Sequence, residues 1–520
     1  MRYVILSGTF VQGELLNEFG TVPPAMLPVG NKYLIAHQLD KIRTVDSQAQ
    51  FTISLPTGVE WASASASFDA ADVELLFLDP NLSVRLTLMK VLEQVQEASF
   101  QLLFGDGLYN DILSDEQDFI TSVYTQYFYR WGYLQQTEDG QIKLTSNVPE
   151  TGVEKSRILT GYFGFSDRSL FLSVLESQQN ILEVIEHYSQ IKHCKVLDYD
   201  EWLDFGHFNS YFKSKLAFTT QRHFNRLNYV DGFLTKSSGQ KLKMRNEYHW
   251  FMGIQGKLSL SIPRVAGYHE KKGESGYEIE YLHMPTLAEL YVFGNLPEWR
   301  WKMMVDSCFQ LLNGLRTYQL PQALKVKPEL VFEELYVVKS RNRINDLLNQ
   351  KGLEDFQEIQ LLSKAVETCL EFVGNAKDIK PCLMHGDFCF SNLLWNSRAE
   401  RVMMIDPRGT FQSEGTESSL IGDLGYDLAK FLHSSFGFYD MIVSDKIKSI
   451  DAIDQLEARH AELNNLIFER AEVEFGLTRN ALIARLVILF ATMIPLHADH
   501  PGRQVLFAKN AMRIFNKLSL

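Results

Sequence analysis

Cysteine is scarce in this chain: five residues in 520, at Cys194, Cys308, Cys369, Cys382 and Cys389, odd in number and without a close C-x-x-C pair. That argues against a disulfide framework or a structural zinc site and predicts buried or neutral thiols in a reducing cytosol. Long basic runs are missing too. With 51 Lys and Arg against 64 Asp and Glu, the formal net charge is −13, so a nucleic-acid footprint is not expected and small-molecule chemistry is favoured. No apolar run near the C-terminus reaches the ~20 residues of a membrane-spanning helix. Residues 486–496, bounded by Arg485 and His497, read as a buried helix. Residues 1–8 carry one basic side chain and a short apolar stretch, a poor signal peptide and a better first strand. Internal repeats and low-complexity linkers are absent. At 45% hydrophobic composition, the expectation is a soluble, cytoplasmic, globular protein without membrane insertion, of about two to four domains.

Apolar runs at residues 3–6 and 101–104 are short and end near glycine, whereas residues 33–39 have helical character. Strands alternating with helices predict a parallel α/β sheet. Residues 128–134 and 141–144 flank Glu138-Asp139-Gly140, a turn signal for an antiparallel hairpin inserted in or edging that sheet. The character changes near residue 212. A strand-rich stretch to about residue 282 gives way to helical patterns over 287–320 and 331–372, and mostly helical sequence runs from 423 to the end.

Between these helices lies the stretch richest in chemistry. Met384-His385-Gly386-Asp387-Phe388-Cys389-Phe390-Ser391-Asn392 is followed by Met404-Ile405-Asp406-Pro407-Arg408. An Asp, an Asn five residues on and a second Asp fourteen beyond that, each beside apolar residues, suit phosphoryl transfer. Asp387 can orient and deprotonate a hydroxyl, while the Asn392 amide oxygen and the Asp406 carboxylate hold magnesium ions that neutralise nucleotide phosphates. His385 would brace the loop.

This segment resembles the catalytic loop and metal-binding Asp of the aminoglycoside phosphotransferase and choline kinase superfamily, a branch of the protein-kinase-like fold. Gly422-Asp423-Leu424-Gly425-Tyr426-Asp427-Leu428-Ala429-Lys430 resembles the superfamily's G-D-x-x-Y-D-L-A segment. The resemblance implies ATP as co-substrate and a two-lobed α+β domain over residues 213–520. It also implies a strand lysine on the nucleotide phosphates, oriented by a helix glutamate. Lys236 and Glu247 match best, with Lys241 and Lys243 as competitors. No G-x-G-x-x-G loop precedes Lys236; Thr220, Arg222 or Asn225 would contact phosphate instead. Residues 278–282 resemble the hinge strand, where backbone groups, Leu282 among them, would hold adenine. Asp427 is expected to bind backbone groups of the catalytic loop, and Arg408 to meet an anion or a structural partner. Residues 496–503 line an acceptor site or form a helix cap.

Residues 1–212 resemble sugar-phosphate nucleotidyltransferases, with a Rossmann-like sheet. Pro23-Pro24-Ala25-Met26-Leu27-Pro28-Val29-Gly30-Asn31-Lys32 follows the first strand, Phe104-Gly105-Asp106-Gly107 matches the family's G-D, and Trp202-Leu203-Asp204-Phe205-Gly206 its W-x-D-x-G. By that resemblance Asp106 and Asp204 bind magnesium. The family loop, roughly G-x-G-x-R, reads Gly8-Thr9-Phe10-Val11-Gln12 here, and Pro24 replaces a lysine. Lost cations weaken triphosphate binding, and Phe10 blocks close backbone approach. The combined expectation is a kinase acting on a sugar or small alcohol, coupled to nucleotide activation for surface polysaccharide synthesis. The alternative gives the first domain only a binding or assembly role, for a nucleotide-sugar or sugar phosphate, or makes the chain a pseudoenzyme scaffold.

Overall fold

Strand Arg2–Leu6 is buried from Tyr3 onward and pairs in parallel with Gln50–Pro56 on one side and Phe100–Phe104 on the other. Strands covered on both faces tend to be apolar along their length, as residues 3–6 are, whereas Gln50–Pro56 alternates Phe51, Ile53 and Leu55 with Thr52 and Ser54, which are buried as well. In this computed structural model, residues 1–59, 71–129, 131–136, 141–147, 155–216, 226–230, 232–271, 273–319, 326–350, 357–376, 378–408 and 421–519 are described. The chain divides into two compact units, Met1–Thr219 with Phe293–Asn295, and Thr220–Val292 with Leu296–Leu520.

In the first unit Val73–Leu78 extends the sheet in parallel, and Ser156–Phe165 adds to the opposite side antiparallel. Nine strands join in all among the described residues, with the hairpin Tyr133–Gln136 and Ile142–Thr145 at one edge. The hairpin's predicted turn, 138–140, lies outside the described residues. Its first strand starts at Tyr133, not at residue 128, where Phe128 is exposed. The predicted helical stretch is Leu34–Val45. Val4, Leu102, Phe163 and Phe165 pack with Leu88 and Val91 of helix Val84–Gln94 and with Phe171 and Tyr188. Each such burial contributes ~1.5–3 kcal/mol, enough together to fix the strand ends. There Gly105 donates its N–H to the Leu6 carbonyl at 2.8 Å, and a Cβ on Gly105 would strike Ser7. Helix Phe208–Leu216 belongs to this unit and is tied to it where Ser214 Oγ donates to the Asp204 carbonyl at 2.8 Å.

The second unit begins with a four-stranded antiparallel sheet ordered Arg226–Val230, Phe233–Ser238, Glu274–Glu280, Val265–Lys271, against which helix Lys241–Gly253 packs. Helices Glu298–Thr317, Gln357–Ala376, Leu424–Ser435, Arg479–Met493 and Pro501–Phe515 follow. Between them the ladders Pro381–Leu383 with Ile421–Asp423, and Leu393–Asn396 with Arg401–Met404, present the 384–392 loop. This is the expected two-lobed α+β arrangement. The predicted helix at 486–496 is longer than that run, since Arg479–His497 is by length and composition able to cross a membrane and is mostly buried in the fold. Arg485, which closed the apolar run on paper, is wholly buried in ion pairs. All five cysteines are free and buried.

Candidate active site

Strand Phe233–Ser238 carries Lys236 inward, where its Nζ lies 2.7 Å from Glu247 Oε2 and also pairs with Asp406. Tyr277 Oη donates to the same Glu247 oxygen at 2.8 Å. Burial opposes the Lys236 charge, but Asp406 and Glu247 outweigh it and raise the ammonium above its ordinary value. The competitors lie elsewhere: Lys241 pairs with Glu270 in solvent, and Lys243 comes only within 3.8 Å of Glu247 Oε1. Three residues beyond Glu247, Trp250 Nε1 donates to the Met384 carbonyl at 2.8 Å. One helix thereby registers both the lysine and the 384–392 loop.

That loop is held from below. Asp427 accepts the backbone N–H groups of His385 and Gly386 at 2.7 and 2.8 Å, as expected of an architectural residue. His385 Nδ1 accepts from Asp387 N at 3.3 Å and Nε2 faces the Ile405 carbonyl at 3.1 Å. Burial pushes the imidazole down to about 4, so it braces the loop as the neutral ring. Asn392 Nδ2 donates to the Asp387 carbonyl and carboxylate at 2.9 and 3.1 Å, which turns Oδ1 the other way. Asp406 stands at φ 60°, a backbone conformation uncommon outside glycine, and Arg408 N returns to the His385 carbonyl at 2.9 Å.

Lys430 was missed as a site residue. Its Nζ is 2.9 Å from Asp387 Oδ1, and it lies one helical turn after Asp427, a spacing that places both on one face. Burial opposes ionisation of Asp387, yet Lys430 and Arg408 hold its carboxyl well below the ordinary range. A carboxylate so strongly ionised is a weak base. It suits orienting a hydroxyl and taking its proton late, as a loose phosphoryl-transfer transition state requires. Asn392 and Asp406 offer only hard oxygen donors, and magnesium usually takes one or two carboxylates plus phosphate oxygens, so the residues fit that ion. Among the described residues no group of three or more His, Cys, Asp or Glu could hold a metal by itself.

Leu282, two residues past strand Glu274–Glu280, is half-buried, and its carbonyl accepts from Met284 N at 2.8 Å. The segment is stitched to the Leu393–Asn396 ladder where Trp395 N donates to the Pro285 carbonyl at 2.9 Å. Thr220, Arg222 and Asn225 fall outside the described residues. Residues 496–503 form a turn into helix Pro501–Phe515, with Arg503 donating to the Val443 carbonyl at 3.0 Å.

In the first unit, Asp204 pairs with Gly107 across two short strands, which brings it beside Asp106. A Cβ on Gly206 would strike the Asp106 carboxylate. Burial, and then Asp204, push Asp106 up to about 6. Asp204 is already engaged: Gly206 N donates to it at 2.9 Å, His207 Nδ1 lies 2.8 Å away, and Ser210 Oγ also donates. Gln12 is exposed, and Lys32 pairs with Asp40 in solvent at 2.9 Å.

Residues 233–451 match the phosphotransferase enzyme family. That stretch is a phosphotransferase domain. No curated protein matches the chain. Solved structures that match it include HddC from Yersinia pseudotuberculosis, at 17% identity over 42% of this chain and 99% of that one, with a TM-score of 0.32. The inositol-1-phosphate CTP transferase from T. maritima matches at 13% identity over 40% and 90%, with a TM-score of 0.32. A thermostable mutant of aminoglycoside phosphotransferase APH(4)-Ia, in complex with AMP-PNP and hygromycin B, matches at 12% identity over 57% and 92%, with a TM-score of 0.36. The phosphotransferase domain contains Lys236, Glu247, Asp387, Asn392, Asp406 and Lys430.

Proposed function

We propose that the phosphotransferase domain moves the γ-phosphoryl group of ATP to a hydroxyl of a sugar or small alcohol. The observation that carries this reading is the Lys236 ammonium held between Glu247 and Asp406, in the same domain as an Asp387 kept ionised by Lys430. Lys236 meets the nucleotide phosphates, and Asp387 receives the acceptor hydroxyl. Bound magnesium would supply charge neutralisation on the phosphates, with Asn392 and Asp406 as its protein ligands. The backbone at Leu282 would meet adenine.

The test is ATP consumption by the full chain against a panel of sugars, amino alcohols and polyols. Asp387→Asn should lower kcat about 10²–10⁴-fold while magnesium–AMP-PNP still binds. Near-normal turnover in that variant would reject Asp387 as the residue facing the hydroxyl.

For the first unit we favour a ligand-binding role over nucleotidyl transfer, because Asp204 is taken up by three neighbours and the loop arginine is absent. A nucleotide-sugar or sugar phosphate fits that reduced charge, in a pathway building surface polysaccharide. Pyrophosphate release on adding the kinase product and a nucleoside triphosphate would overturn this and establish a bifunctional enzyme.

A further inference from the structure

Among the described residues, two cations beside the 384–392 loop, Lys339 and Arg408, form no ion pair with a carboxylate. Lys339 donates to Tyr426 Oη at 2.6 Å, and Arg408 Nη1 donates to the same oxygen at 3.5 Å. Among the described residues neither ion-pairs with an acid, whereas Lys236 and Lys430 both do. Both side chains are partly buried, and Tyr426 fully so. Burial lowers the Lys339 ammonium to about 8 against the raising effect of the Tyr426 oxygen, with Arg408 and Lys430 adding to the fall. Burial pushes the Tyr426 phenol the other way, but Lys339, Arg408 and Lys430 outweigh it and bring it to about 8 as well. The Tyr426 oxygen, and then Asp387 against burial, raise Arg408 above its ordinary value, so the cation left short of negative charge is Lys339, which a bound anion would relieve.

The nucleotide has its own cation in Lys236 and the two oxygen donors suited to magnesium. Arg408 and Lys430 instead act on Asp387, which in the kinase reading receives the acceptor hydroxyl. A π-helical turn, Glu333–Val338, immediately precedes Lys339. Such turns concentrate at functional sites. This one lets Tyr336 donate to Asp423 at 2.7 Å while Lys339 reaches Tyr426.

We propose that Lys339 and Arg408 bind a phosphate group already carried by the acceptor, so that the enzyme phosphorylates the free hydroxyl of a phosphate monoester. This deepens, and rests on, the kinase reading above. Two positive charges match a dianion, with the guanidinium fork meeting two oxygens and the ammonium a third. In the reaction the acceptor oxygen bonds to the γ-phosphorus and the bond from that phosphorus to the bridging oxygen breaks. ADP leaves, and the hydroxyl proton passes to Asp387 and then to water.

The experiment uses the full chain saturated with magnesium–AMP-PNP and titrates inorganic phosphate by calorimetry. Phosphate should bind without displacing nucleotide. Lys339→Met should weaken it more than about tenfold, and Lys339→Arg less than about threefold. In steady state, glucose 6-phosphate and glycerol 3-phosphate should exceed glucose and glycerol in kcat/KM by at least about tenfold. Phosphate that competes with nucleotide, or that binds equally to a Lys339→Met protein of native circular dichroism, would overturn the inference. So would a preference for the neutral acceptors, or for glycerate over glycerol 3-phosphate. Absence of magnesium–AMP-PNP binding in the native chain would remove the kinase reading itself, and this one with it.

Discussion

Lys236 is a buried cation shared by two acids, and the side chains of Lys236 and Glu247 are almost wholly enclosed. Removing one partner of such a cluster leaves uncompensated charge, which costs about 3–5 kcal/mol. Lys236→Met should therefore lower the melting temperature as well as nucleotide affinity, and a thermal melt with and without magnesium–AMP-PNP separates the two effects. An unchanged melt would show that the cluster is looser than its geometry. Much of this site could be read from the chain because Asp387, Asn392, Asp406 and Asp427 lie within one stretch whose order is itself a signal. Lys430 could have been found from its helical spacing to Asp427. Lys339 and Tyr277 could not: each reaches the site from a distant element, and a lone lysine or tyrosine carries no local pattern.

Among elements, the loop 384–392 depends on helix Leu424–Ser435, whose first turn supplies Asp427. Burial is the main cause that pushes Asp427 up to about 7, against the two backbone N–H groups it accepts. Its folded value is thus above the unfolded one. The stability it contributes is fully present below the unfolded pKa, near 4, and is lost as pH rises through about 7. Activity should follow the opposite sign, since the protonated carboxyl accepts less well from the loop. We expect kcat to fall as pH drops below about 7 although Asp387 stays ionised, and Asp427→Asn to flatten that limb at a lower plateau. A wild-type profile flat from pH 5.5 to 8, roughly the span in which Asp427 titrates, would contradict this. Element types were legible where the pattern was plain, as in the unbroken apolar run of strand Arg2–Leu6 and the helical spacing of Leu34–Val45. The hairpin strand was misplaced because Phe128 is apolar but exposed, and an apolar residue by itself does not state which way it faces.

At the scale of the whole molecule, each compact unit holds its own buried core. A fragment beginning at Thr220 should melt cooperatively and bind magnesium–AMP-PNP within a few-fold of the full chain. A molten fragment alongside a well-behaved full chain would refute this independence. The arginine at position 485 has a consequence that reaches back to synthesis. In the finished protein it satisfies Asp423 and Asp378 at 3.0 and 2.6 Å. While the chain is still emerging those acids are not yet assembled around it, and the same guanidinium sits inside the one described helix that could pass for a membrane span. An arginine deep in such a segment opposes insertion by about 2.5–3.5 kcal/mol. The residue that locks the helical lobe together thus also makes its most apolar helix a costlier segment to pass into a bilayer.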